Sequence, residues 1–345
     1  MAVTSLADLQ RAPGAPAPPG SATLPLRVER VRTFDTPEFS GMTFLEVDAQ
    51  SALNRVRGMP FGWSINPYRG CSHACSYCFA RPTHEYLNLS ATDDFERVVV
   101  VKTNVVDVLR RELARPSWRG EPVAMGTNTD PYQRCEGRYR LMPGIMDALA
   151  DARTPFSVLT KGTLVLRDVE RLRAAARRVP VAASLTIGML DERLWRDAEP
   201  GTPSPRARLD AVRALNDAGV PTGVMLAPIM PGLNDDEAQL GELVERAVRA
   251  GAVHVTPIVL HLRPGVRKVF WPWLRRVHPE LVERYRRLYT RSQAAPGYRR
   301  AVEARARAQL RRAWARFGRP PAPPSWRGGD GPDRHPPEGA QLGLF

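Results

Sequence analysis

Between residues 62 and 260 short apolar runs alternate with longer amphipathic ones. The runs GWSIN, PVAMGTN, FSVLTK, PVAASLTI, PTGVMLAPI and VHVTPIVL are short and apolar, as buried strands are. Between them lie TNVVDVLRRELAR, LMPGIMDALADAR, DVERLRAAARR, SPRARLDAVRALNDAG and DEAQLGELVERAVRAG, whose apolar residues recur at helical spacing. FERVVVVK is a further extended run. Strands that each precede an amphipathic helix predict βα units and a parallel sheet. About six such repeats fit an open partial barrel or a doubly wound sheet. In both, ligands bind at the C-terminal ends of the strands.

The flanks read differently. Residues 1–25 are rich in Pro and Ala and predict a disordered arm, and residues 26–60 a partly ordered lead-in. The barrel is expected over 61–260. Residues 261–317 predict a basic helical extension, with helices in LRRVHPELVERYRRLYT and YRRAVEARARAQLRRAWARF. Residues 318–345 predict a disordered tail. No stretch is long and apolar enough to span a membrane, and the first residues lack the basic-then-apolar order of a secretory signal. A cytoplasmic location is the expectation.

Charge sharpens the view of the C-terminal third. The chain carries a net +14, and residues 261–319 hold 17 Arg or Lys against Glu280, Glu283 and Glu303. Such a concentration predicts a polyanionic partner, with nucleic acid foremost. Phe270, Trp271, Trp273, Tyr285, Tyr289, Tyr298 and Trp314 interleave with the arginines. They are expected either to stack on bases or to pack inward as the helices close the barrel.

Three of the four cysteines fall in RGCSHACSYCFA, as Cys71, Cys75 and Cys78. A C-x3-C-x2-C loop after a strand suits metal or redox work. Three thiolates from one loop would leave one iron of a cubane without a protein ligand, an open position for chemistry. A structural zinc ion is the rival and would need a fourth ligand such as His73 or His84.

The spacing, with Tyr77 before the last cysteine, is the signature of the radical S-adenosylmethionine (SAM) enzymes. INPYRGCSHACSYCFAR, GTNTDPYQ, LTKGTLVLRD, SLTI and VMLAPIMPGLND follow in an order that resembles the branch related to spore photoproduct lyase. The resemblance implies an α/β fold, a partial (β/α)6 TIM-like barrel. It implies a [4Fe–4S] cluster on Cys71, Cys75 and Cys78, with SAM chelating the free iron and cleaved reductively to a 5′-deoxyadenosyl radical. An electron donor such as a flavodoxin or ferredoxin would serve it. Cofactor contacts are expected from Tyr77 near the adenine, from Gly126 and Thr127 at the methionine amino group, from Thr129 at the same rim, where Asn128 and Asp130 also offer polar groups unless Asp130 only starts a turn with Pro131, from Lys161 at the carboxylate and from Ser184 at the methionine or ribose end. The family branch has a hydrogen-donating cysteine where this chain has none. Cys135, a few residues on, is either a displaced donor or an ordinary thiol, so photoproduct repair is not carried over. His254 and His261 have no legible partner, although His261 opens the basic segment at a strand end.

The last five residues, QLGLF, resemble the short peptide by which bacterial DNA-processing proteins bind the sliding clamp. Gln341, Leu342, Leu344 and Phe345 would be its anchors. The expected function is radical SAM chemistry on nucleic acid, DNA first. The alternatives are the same chemistry on RNA, protein or a small molecule, and a non-catalytic nucleic-acid-binding module with a structural Fe–S or zinc centre.

Overall fold

In the computed structural model, residues 3–5, 23–57, 59 and 61–319 are described. The chain starts with β1 (Val3–Ser5), β2 (Thr23–Arg32) and β3 (Thr43–Val47). It continues through β4 (Leu53–Arg55), β5 (Trp63–Ile65), β6 (Tyr68–Arg69) and β7 (Val98–Lys102). Then come β8 (Val123–Met125), β9 (Phe156–Thr160), β10 (Val181–Thr186), β11 (Thr222–Ile229) and β12 (Val255–Val259).

Two sheets result. The larger runs β12-β11-β10-β9-β8-β5-β4. All its pairs are parallel except the antiparallel edge strand β4. This is the six-stranded partial barrel. Two of its helices start and stop where side-chain chemistry says they should. The Ser204 hydroxyl accepts from Ala207 N ahead of Pro205–Asp217, and Asp236 accepts from Ala238 N and Gln239 N ahead of Glu237–Arg249. Gly219 and Gly251 follow these two helices with positive φ.

The smaller sheet runs β1-β2-β3-β7-β6. The VVVV run therefore leaves the barrel and pairs in parallel with β3. Its lack of alternation has a simple cause, because both faces are covered. Val98 and Val100 join Val28, Leu45, Leu87 and Leu89, whereas Val99 and Val101 face the main core. The residues just before it, Asp93–Arg97, are helical rather than extended. The arm expected at 1–25 contributes β1 and the start of β2, and its other residues lie outside those described.

Beyond β12 three helices follow, Pro264–Val277, Val282–Leu288 and Pro296–Phe317. The first begins ten residues earlier than the helix read from LRRVHPELVERYRRLYT, and the break falls at His278 and Pro279. The longest packs on Glu237–Arg249 and β12. Most of the aromatic residues expected to stack on bases are core instead. Phe270, Trp273, Tyr285 and Tyr289 are buried, Tyr285 and Tyr289 stack on each other, and Trp271, Tyr298 and Trp314 are half-buried. Among the described residues no helix is long and apolar enough to cross a membrane. The expected clamp peptide, Gln341 to Phe345, lies outside the described residues.

Candidate active site

The cavity lies at the C-terminal ends of the parallel strands. Cys71, Cys75 and Cys78 line it, together with His73, Tyr77, Gly126, Asn128, Asp130, Lys161, Thr186 and His261. Counted out to its open mouth, the space is about 1010 Å³.

The cysteine loop is held by residues outside its own motif. Gly70 enters it at φ +82°, where a Cβ would meet the Val98 carbonyl oxygen at 2.5 Å. Cys71 N donates to Phe95 O, the buried Gln133 amide receives Ser72 N and donates to Gly70 O, and the buried Arg81 gives Nε and Nη2 to Cys75 O. From the far side Ser76 N donates to Ala198 O and Gly201 N to His73 O. A side chain at Gly201 would strike Ser72 O at 2.1 Å. This many fixed carbonyls and amides hold the three thiols in place before any metal arrives.

Tyr77 is tied into a buried charge network. Its hydroxyl donates to Glu199 Oε1, Arg208 Nη2 donates to Glu199 Oε2 at 2.6 Å, and Arg208 Nη1 donates to Thr186 O at 2.8 Å. Glu199 and Arg208 are both fully buried. Lys161 Nζ sits 5.7 Å from the centre of the Tyr77 ring. Burial works to lower the Lys161 pKa, but the Cys75 and Glu199 charges outweigh it and raise the value. The lysine is thus a cation in the cavity wall.

Opposite, Asp130 accepts from Thr160 Oγ1 at 2.5 Å, from Lys161 N at 2.6 Å and from Tyr132 N at 2.9 Å. His73 Nδ1 is 3.4 Å from its other face. Burial alone would raise the Asp130 pKa, yet His73 and these donors bring it down to about 2. Gly126 ends β8 at φ +83°, and a Cβ there would lie 1.8 Å from Leu159 O. Only glycine fits, and its backbone is left open to the cavity.

Three expected cofactor contacts are placed elsewhere. Thr127 is buried outside the lining, and Thr129 gives its hydroxyl to Tyr68 O at 2.7 Å. The turn at Gly126 puts Asn128 and Asp130 at the cavity in their stead. Ser184 shares a strand face with Thr186 but lies one pleat deeper. There its hydroxyl meets His254 Nε2 at 3.2 Å, and Thr186 holds the rim. Cys135 is fully buried in the core, outside the cavity lining, and burial pushes its thiol pKa well up. That is the environment of an inert structural thiol, not of a hydrogen donor facing a substrate.

The donor set fits an iron–sulfur cluster better than zinc. His84 does not line the cavity and bonds Val98 O at 3.0 Å, and His73 is engaged by Asp130. His84 is therefore not at hand as a fourth zinc ligand. Burial pushes the three thiols up, Cys75 to about 12, so a metal must hold them as thiolates. Ser72 and Ser76 alternate with the cysteines, and their buried hydroxyls have no hydrogen-bond partner among the described residues. Cluster sulfides are acceptors for donors so placed.

Residues 65–244 match the family described as the Radical SAM superfamily. The chain belongs to this family. It is a radical SAM enzyme, and its cofactors are a [4Fe–4S] cluster and SAM. That excludes the reading as a non-catalytic binding module. An uncharacterized protein of Mycobacterium tuberculosis (strain ATCC 25618 / H37Rv) is 50% identical over 315 residues, 90% of this chain and 93% of that one. A radical SAM Nalpha-GlyT isomerase of Pseudomonas phage M6 is 24% identical over 262 residues, 72% of this chain and 50% of that one. Among solved structures, spore photoproduct lyase complexed with dinucleoside spore photoproduct superposes with a TM-score of 0.59 at 16% identity, covering 79% of each chain. That likeness shows the fold, the radical SAM partial barrel.

Glu199, Arg208, Gln133 and Arg81 escaped the sequence reading. Glu199, Arg208 and Gln133 are buried far along the chain from the loop or ring they hold, and Arg81, although only six residues from the Cys75 carbonyl, has a role that shows only in the folded chain.

Proposed function

We propose that this radical SAM enzyme acts on DNA in the cytoplasm, repairing or modifying it, and that Cys71, Cys75 and Cys78 hold its cluster. When bound, the cluster and SAM supply a 5′-deoxyadenosyl radical able to abstract hydrogen from a substrate. The protein's part is position and exclusion. Lys161 meets the methionine carboxylate as a compact charge, the Gly126 backbone and Asn128 face the amino end, and the Glu199 network fixes Tyr77.

The observation that carries DNA as substrate is the basic surface that starts at the cavity. His261 lines the cavity, and the chain runs from it straight into the segment with 17 basic residues and three acidic ones. Arg276, Arg287, Arg291, Arg300 and Arg311 are exposed there and form no ion pair among the described residues. Spore photoproduct lyase, with the same fold, has been seen with a dinucleoside ligand, which supports a nucleic-acid substrate. A flavodoxin or ferredoxin would supply the electron, and the QLGLF tail would bring the enzyme to the sliding clamp.

The test is an anaerobic reaction with SAM deuterated at C5′. DNA should stimulate 5′-deoxyadenosine formation, and digested DNA should carry deuterium or a modified nucleoside. Stimulation by RNA or a small-molecule fraction, with DNA inert, would overturn the reading.

A further inference from the structure

The cavity mouth carries a cluster that the cofactors do not need. His261 follows β12 and lines the cavity, and its buried Nε2 has no hydrogen-bond partner among the described residues. Its backbone is clamped by a bridge to Gln293, and Leu262 N donates to Ser292 O at 2.7 Å. The charges that bear on His261 are Arg299 and Arg263, both cations, and with burial they lower its pKa. Arg299 is anchored through Nε to Ala294 O at 3.1 Å.

A second wall comes from the chain just after the cysteine loop. The segment Arg81–Leu87 packs on the start of Pro264–Val277 so closely that a side chain at Gly265 would meet Pro82 Cγ at 2.4 Å. Lys268 Nζ bonds Glu85 Oε1 at 2.8 Å across the same seam. This docking brings Tyr86 within electrostatic reach of Arg263. Tyr86 is 76% exposed, and of the large apolar side chains described only it and Phe317 are exposed. An exposed ring within reach of Arg263, which with Arg299 bears on an unsatisfied imidazole lining the reaction cavity, matches the chemistry of a nucleotide: an anionic phosphate and a planar base.

We propose that His261, Arg263 and Arg299 grip a phosphate flanking the reacting nucleotide of DNA, and that Tyr86 stacks on a neighbouring base. The inference rests on the DNA reading above and assigns its recognition site. The residues hold the strand at the mouth while the reacting nucleotide enters the cavity.

The experiment uses the full chain, cluster-loaded and anaerobic, with a fluorescein-labelled single-stranded DNA and an RNA of the same sequence. Fluorescence anisotropy gives Kd across a salt series. Arg263→Gln and Arg299→Gln should each weaken DNA binding several-fold and lower the slope of log Kd against log salt by about 1. Tyr86→Ala disturbs no core and should weaken binding roughly 5- to 100-fold with the salt slope kept. Arg177→Gln, exposed just before β10 at the opposite end of the barrel, is the control and should match the wild type. Thermal melting confirms that each variant is folded. If wild type binds DNA and all three mouth variants match it in affinity and slope, the assignment is wrong while the DNA reading stands. If the mouth variants alter RNA binding alone, DNA as ligand of this site is wrong. If wild type neither binds DNA nor is stimulated by it, both readings fall together.

Discussion

Replacing Glu199 by Gln isolates the charge on which the Tyr77 side of the cavity depends. Glu199 and Arg208 are both fully buried and meet at 2.6 Å. Glu199 also accepts from the Tyr77 hydroxyl, and from Thr202 Oγ1 at 3.3 Å. The amide keeps the volume and one acceptor but leaves Arg208 charged, buried and without its counter-ion. Removing one partner of a buried pair costs about 3–5 kcal/mol, because the charge left behind has lost its water as well. In a chain of this size that is a fall in melting temperature on the order of 10 °C. Arg208→Met should cost a similar amount, for then the Glu199 carboxylate is the orphan. Glu199→Gln with Arg208→Met restores neutrality, so the double variant should lose less than the sum of the two by more than about 1 kcal/mol. Asp151→Asn, which breaks a pair with Arg178 that is 51% and 64% exposed, should change stability by about 1 kcal/mol or less. The assay is thermal unfolding by circular dichroism at one fixed scan rate, on anaerobic protein. A Glu199→Gln variant as stable as the Asp151 control, or losses that simply add, would refute the reasoning.

Four further expectations follow from the same geometry. Gly126→Ala places a methyl at 1.8 Å from a carbonyl oxygen in a left-handed backbone, so soluble yield and melting temperature should fall sharply, whereas Gly297→Ala, with nothing within 4 Å, should leave both unchanged. Lys161→Met should keep the brown cluster absorbance yet bind SAM at least tenfold more weakly by calorimetry; equal affinity would remove the carboxylate role. Burial lowers the His254 pKa below 6.5, so the folded state takes up its proton later than the unfolded one. The resulting stability is fully present above pH 6.5 and is lost as the pH falls from there through the lowered folded value, and the difference between wild type and His254→Gln in denaturant titrations at pH 8 and pH 5 should show that sign. Deleting Gln341–Phe345 should abolish capture on immobilised sliding clamp without altering 5′-deoxyadenosine formation; unchanged capture would sink the tail peptide.

The barrel was legible because burial writes itself into local pattern. Each parallel strand is a short apolar run, and the helices between them carry an apolar stripe, with a capping side chain at Pro205–Asp217 and Glu237–Arg249. The cysteine loop was legible because one cluster takes three ligands from a single short segment. What escaped has one common cause, namely that neighbours in space are remote in sequence. The VVVV run shows that a strand is doubly covered but not which sheet receives it. The alternation in β10 gave the right face for Ser184, and only the height at which the strand ends gives the rim to Thr186. Past β8, Gly126, Asn128 and Asp130, every second residue, line the cavity, whereas Thr127 and Thr129 between them do not. The basic aromatic segment satisfied two readings at once, and packing chose the inward one for most rings.

The charges of the site divide by depth. Deep in the wall the arginines are matched, Arg208 by Glu199 and the fully buried Arg81 by Glu96. Matched buried charges have fixed partners and little freedom, so they suit the task of holding a cofactor in one pose. At the lip the arrangement changes, since among the described residues the charges that bear on the half-buried His261 are the cations Arg299 and Arg263. Like charges gathered near one group are tolerated where water still screens them, and they favour an arriving anion. The same distinction predicts how the two groups fail. Losing a deep charge should show first in stability and in cluster retention, and losing a lip charge first in the salt dependence of substrate capture. A lip variant that lowered the melting temperature as much as Glu199→Gln, with capture intact, would show that the mouth is scaffold after all.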